Sequence, residues 1–208
     1  MVLTGCGVAT SPEQVTPTIY AEPPTVAPDA VETFGAEALE TAYEELVDFA
    51  FEVAFREEFL DPQRVDYTAE ELTVHVQPHL GAGAAQTWAD QVSAALNGDT
   101  AAQDSLRVLQ FYRWDEPNWT VPDGGALESQ RIGAPEIRLA PAEADVPPRL
   151  EVRVDHVATM RYEEDGSPFR VEVRKPMTYL LVLSEWTTGP EWLVYSYNGS
   201  FRVRQLPG

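Results

Sequence analysis

Between Arg149 and Tyr162 the chain alternates apolar and polar residues almost without fault, and a pattern of period two leaves few folds open. Leu150, Val152, Val154, His156, Ala158, Met160 and Tyr162 fall on one side; Glu151, Arg153, Asp155, Thr159 and Arg161 fall on the other. Such a segment is a strand with one buried and one solvated face. Glu163 to Pro168 turns it back into a second strand over Phe169 to Trp186, and Thr187 to Pro190 turns that into a third over Glu191 to Leu206. The spacing predicts a meander of long antiparallel strands. Pro176 and Asn198-Gly199 interrupt two of them and are natural places for bulges or kinks that curve a sheet.

Upstream the period lengthens. From Ala36 to about Leu60, Leu39, Tyr43, Leu46, Val47, Ala50, Val53 and Ala54 recur at helical spacing, and Phe51 and Phe55 widen the apolar arc beyond one stripe. A helix this apolar is surrounded by the fold. Glu37, Glu40, Glu44, Glu45 and Asp48 crowd its first half as a solvated face, those nearest the start favoured by the helix dipole, and Asp61-Pro62 stops it. Thr68 and Glu71 have the spacing of a capping box and predict a second, short helix. After Pro78 and Gly81-Ala82-Gly83, the residues Trp88, Val92, Ala95 and Leu96 predict a third helix that ends at Asn97-Gly98. From Ser105 the pattern alternates, so Leu106 to Trp114 reads as a strand. Asp115 to Pro148 is rich in proline and glycine and reads as surface loop carrying one short strand at Glu136 to Ala140.

Helices first and a run of long antiparallel strands afterwards is the order of an α+β domain with helices on one face of the sheet. In this element order the chain resembles the NTF2-like, or cystatin-like cone, superfamily over residues 37–208. The resemblance implies a long helix embraced by a curved antiparallel sheet, with two shorter helices beside it. It does not imply one activity, because that family includes enzymes, ligand binders and assembly modules. In a cone of this kind His156 lies on the inner face, as do Tyr179 and the start of the third strand at Trp192. These three residues are the candidate lining of a pocket, with His156 a weak candidate for a general base. A core histidine held by one hydrogen bond, among aromatics that merely pack, is the competing reading.

The N-terminus carries a different signal. Leu3-Thr4-Gly5-Cys6 resembles the lipobox of bacterial lipoproteins, which implies lipidation on Cys6, cleavage before it, and an extracytoplasmic protein anchored to the cell membrane. Only Met1 to Gly5 precede the cysteine, fewer residues than a secretory signal needs. The alternatives are a precursor that starts further upstream, a chain trimmed just before the cysteine, or a chance match that leaves an exposed thiol. Gly7 to Ala36 contains five prolines and no lysine or arginine, so residues 1–36 read as lipobox remnant and disordered tether. Cys6 is the only cysteine, which excludes an internal disulfide.

With 34 acidic and 14 basic residues the net charge is −20, and Lys175 is the only lysine. That surface excludes nucleic acid as a partner, since phosphate binding needs a basic patch. Arginine in place of lysine fits a high-GC genome such as an actinobacterium's. There is no Gly-rich phosphate loop, nucleophile elbow, paired CxxC or zinc-protease helix, and no cofactor is expected. His75 and His79 are four apart but straddle Pro78 with no further ligand at a metal-site spacing. Asn118 and Asn198 match the glycosylation pattern only formally. The expectation is therefore a non-catalytic, lipid-anchored module of the cell envelope that binds a partner protein or a small apolar ligand; the alternative is a hydrolase, isomerase or cyclase that uses His156.

Overall fold

The computed structural model describes residues 16–114, 116, 118–144, 146–184 and 188–207, so Cys6, its lipobox and the start of the expected tether lie outside the described residues. The fold is α+β, with five α-helices and a mixed, open sheet of eight strands among the described residues. The expected meander forms its centre. Strand β5 (Leu150–Glu164) turns at Asp165-Gly166 into β6 (Ser167–Leu183), and the two pair from Leu150 opposite Leu181 to Glu164 opposite Ser167. Both tip residues have positive φ, 50° at Asp165 and 73° at Gly166, which is why an Asp-Gly pair sits there.

The expected third strand is broken in two. β7 (Trp192–Gly199) pairs with the second half of β6, and β8 (Arg202–Leu206) pairs with Arg170 to Arg174. Pro176, which has no N–H to give a ladder, lies opposite the break, and its carbonyl accepts from the backbone N–H of Ser200. A side chain at Gly199 would meet that carbonyl at 2.7 Å.

Two expectations fail upstream of β5. The supposed surface loop contains β4 (Leu127–Leu139), which runs antiparallel to β5 from Leu127 opposite Met160 to Leu139 opposite Leu150. Gly133-Ala134-Pro135 hid it. In the structure those residues form an irregularity in the β4–β5 ladder, with Ala134 at φ 46°, so the proline need not donate. A two-residue strand, β3 (Trp119–Thr120), covers the far end of β5. Leu106 to Trp114 is not a strand either. Helix α5 (Thr100–Leu109) starts on Asp99, whose carboxylate accepts from the N–H of Ala102, and it buries Leu106 and Leu109. Short apolar runs satisfy both periods, and the cap decides between them.

The tether expectation fails from Thr18 onward. β1 (Thr18–Ala21) and β2 (Thr25–Val26) pair in parallel with β4, and helix α1 (Pro28–Phe34) follows with Pro28 in its first turn. The sheet is therefore mixed and not wholly antiparallel. A Pro-rich segment can join a sheet this way because the unpaired edge of β4 supplies the hydrogen bonds, while Pro23 and Pro24 fall between the two short strands.

Helix α2 (Ala36–Val53) ends before the expected stop near Leu60. The carbonyl of Ala54, at its end, accepts from the N–H of Phe111 and from the Lys175 Nζ, and a 3₁₀ turn over Glu57–Phe59 follows. Tertiary partners thus satisfy the orphan end of the helix. Helix α3 (Ala69–Thr73) has the full capping box: the Thr68 hydroxyl accepts from Glu71 N–H at 3.2 Å and the Glu71 carboxylate accepts from Thr68 N–H at 2.9 Å. Helix α4 (Ala82–Leu96) ends where expected and buries Trp88, whose indole N–H donates to the Leu72 carbonyl at 2.9 Å.

The interior divides into two apolar clusters. One contains Leu150, Val152, Val154, Met177, Tyr179 and Leu181 under α2, α4 and α5; the other contains Ala158, Met160, Tyr162, Val171 and Val173 against Phe55, Leu60, Phe111 and Trp114. On the outer face the strands carry ion pairs, among them Arg174 with Asp155 and Arg204 with Glu172. Among the described residues no helix is long and apolar enough to cross a membrane.

Candidate functional site

A polar row separates the two clusters. Going along β5, the inward positions run Leu150, Val152, Val154 in the first cluster, then His156, then Ala158, Met160, Tyr162 in the second. On β6 the corresponding break is Lys175, the register partner of His156, between Met177 and Val173. On β4 it is Gln130, next to Ile132, the residue opposite His156. Both His156 and Lys175 are 1% exposed.

The imidazole is fully engaged by its surroundings. Its Nε2–H donates to the Gln130 amide oxygen at 3.0 Å, Gln130 in turn donates to the Phe51 carbonyl, and the rings of Phe51 and Phe55 stand edge-on to it at 5.6 and 5.1 Å. Burial, and secondarily the positive charge of Lys175, pushes the His156 pKa down to about 3. At neutral pH the ring is uncharged and titrates only in acid. The Lys175 Nζ donates to the carbonyls of Ala54 and Leu109, at 3.3 and 3.2 Å, and lies 4.4 Å from the centroid of Phe55. Those two carbonyls belong to the C-terminal ends of α2 and α5, where a cation is favoured. Burial still moves the lysine well below its ordinary range. Lys175 was not recognised as a core residue from the sequence, yet its parity with Val171, Val173, Met177 and Tyr179 places it inward.

Tyr179 and Trp192 share the inner face with His156 but not its neighbourhood. Tyr179 pairs with Val152, two inward steps from His156, and its phenol is pushed up by burial. Trp192 packs edge-on against Phe34 at 5.3 Å. It borders a void of about 10 Å³ shared with His79, Leu181 and Phe49, which is room for one water at most. Among the described residues the three share neither that void nor the cavities of about 770, 600 and 420 Å³. His75 and His79 diverge as well: His75 pairs with Glu52 at 3.0 Å, and His79 stacks on Phe49 at 4.9 Å with its pKa lowered by burial. Among the described residues no cluster of three metal donors occurs.

The open space lies elsewhere. A groove of about 770 Å³ runs along α2, between that helix and the strap formed by β1, β2 and α1. Leu39, Tyr43 and Val47 form its floor on the helix side and Ala21, Pro24 and Val26 on the strap side. The Tyr43 hydroxyl donates to the Glu22 carbonyl at 2.6 Å and fixes the strap against the helix; burial, with Glu22 nearby, pushes its pKa up to about 12. Other cavities, of about 600 Å³ over Arg153, Asp155 and Arg174 and about 420 Å³ over Thr87, Gln91 and Tyr195, are smaller and more polar. None of these four cavities is bordered by His156. The groove escaped sequence analysis because one of its walls is the segment whose composition reads as tether. No family model, curated protein or solved structure matches the chain.

Proposed function

We propose that this protein is a non-catalytic binding or assembly module of the bacterial cell envelope, of NTF2-like type, held outside the cytoplasm by lipid on Cys6. The observation that supports a binding role over catalysis is where the interior is filled and where it is open. Phe51, Phe55 and Gln130 occupy the space around His156, where an enzyme with a conical pocket would admit substrate. The apolar groove beside α2 is open to solvent and of a size that takes a ligand or a peptide segment. The NTF2-like reading draws on the long helix over a sheet centred on an antiparallel meander, and the parallel edge made by β1 and β2 is an addition to that pattern.

The anchor reading draws on Leu3-Thr4-Gly5-Cys6 and on charge. A chain of net charge −20 is repelled by anionic headgroups, so attachment needs acyl chains, each buried CH₂ contributing about 0.8 kcal/mol. The two parts are tested separately. Expressed behind a complete signal sequence in a bacterial host, the wild type should fractionate with membranes and carry acyl mass on its N-terminal peptide, and Cys6→Ser should be released. A soluble, unacylated wild type would refute the anchor. For the groove, a neutral solvatochromic dye should bind wild type and His156→Gln alike and bind Val47→Asp weakly. Dye binding lost in His156→Gln and kept in Val47→Asp would move the site to the interior and restore the pocket-enzyme reading.

A further inference from the structure

The groove has a charged rim of one sign. Glu40, Glu44 and Asp48 line it from α2 at intervals of one helical turn, all three exposed, and none of the lining residues is basic. Like charges at this spacing repel along a helix, at a small cost for each pair. The apolar residues that share the groove, Leu39, Tyr43 and Val47, repeat at the same helical interval beside them. The surface is thus an apolar trough flanked by three carboxylates over roughly 12 Å of helix.

From this we infer that the groove takes an amphipathic helix of a partner protein, its apolar face on Val47, Val31 and Pro23, above the buried floor of Leu39 and Tyr43, and its lysines or arginines against Glu40, Glu44 and Asp48. The inference rests on the reading of the groove as the binding site. Charge selects the occupant. Residues 1–15 contain no lysine or arginine, so that stretch brings no side-chain cation to the rim. A second copy brings another net −20, and an anionic membrane surface is repelled in the same way. A helix laid beside α2 presents cations at the pitch of the carboxylates, which an extended strand with its 3.3 Å rise does not. Helix-in-groove recognition uses this combination of apolar anchors at i, i+3, i+4 and i+7 with flanking charge.

The experiment uses the full chain and two synthetic 18-residue peptides, each with leucines along one helical face and either lysines or glutamines along its flank. The lysine peptide should bind, by fluorescence anisotropy, and gain helicity by circular dichroism. Combining Glu40→Gln, Glu44→Gln and Asp48→Asn should weaken it roughly tenfold, as expected for three exposed ion pairs. Raising salt to 1 M, where the Debye length falls to about 3 Å, should weaken it to a similar degree. All three substituted positions are exposed and repel one another, so thermal unfolding of the variant should match wild type or rise slightly. Equal binding of the glutamine peptide, or indifference to the triple substitution, would overturn the basic-helix assignment and leave the groove as an apolar site. Failure of both peptides while the neutral dye still binds would overturn it too, and failure of dye and peptides together would remove the groove itself.

Discussion

His156 and Lys175 are register partners on β5 and β6, and both are buried between the two apolar clusters with no carboxylate among the described residues to pair with either. Burial disfavours the charge of both groups, and Lys175 adds to that for His156; the structure gives each a neutral acceptor, the Gln130 amide for His156 and two helix-end carbonyls for Lys175. Each arrangement makes stability depend on pH in a direction that can be worked out.

For His156 the folded pKa, about 3, lies below the unfolded value near 6.5. Between those values the unfolded chain holds a proton that the folded chain does not, so stability falls as pH falls through that window. At pH 4.5 the loss relative to pH 7 is about 2–3 kcal/mol from this residue. Urea unfolding should show that His156→Gln loses less stability between pH 7 and 4.5 than wild type does. Parallel losses in the two proteins would mean that the imidazole titrates normally.

Lys175 works at the other end of the scale. Its folded pKa is depressed by burial, so the unfolded chain binds the extra proton up to the ordinary lysine value of about 10.4, and stability rises with pH over that interval. Wild type should gain stability from pH 7 to 9.5, and Lys175→Met should be flat across it. The methionine also leaves the Leu109 carbonyl without its donor, a cost of about 1–3 kcal/mol at pH 9.5. A variant at least as stable as wild type at pH 9.5 would show that the helix-end contacts contribute nothing.

Gly199 tests the break between β7 and β8. A methyl group there meets the Pro176 carbonyl at 2.7 Å and presses on the Met177 sulfur, and the backbone oxygen cannot swing away as a flexible side chain can. Gly199→Ala should destabilise by about 1–3 kcal/mol. Gly83→Ala, at a site with nothing within 4 Å, is the control and should be neutral or slightly stabilising.

The strap defines the domain boundary. Removing residues 1–15 should leave cooperative unfolding intact, whereas removing residues 1–34 takes away β1, β2 and α1, exposes the β4 edge and uncovers Trp192, which Phe34 packs against. The longer deletion should lower the thermal midpoint by several degrees and promote aggregation through the bared edge. Identical melting of the two deletions would restore the tether reading through Ala36.

What was readable in advance was local. The period-two run from Leu150 to Tyr162, the Asp165-Gly166 turn, the Thr68 to Glu71 capping box and the Asn97-Gly98 stop each depend on interactions within a few residues, and all four are in the fold. Composition likewise set the acidity that later selects the occupant of the groove. Where the outcome depended on a distant partner, local pattern misled. β4 tolerates Gly133 and Pro135 because β5 supplies the ladder on either side of the irregularity, β1 and β2 are strands only because β4 has an edge to offer, and α2 stops at Val53 because Phe111 and Lys175 take the Ala54 carbonyl. The inward parity of His156 was in the sequence, but its chemistry was not. Whether that imidazole faced a solvent-filled cone or the rings of Phe51 and Phe55 was decided by the packing of α2 onto the sheet, since burial, and not residue type, sets whether a histidine can take a proton near neutral pH.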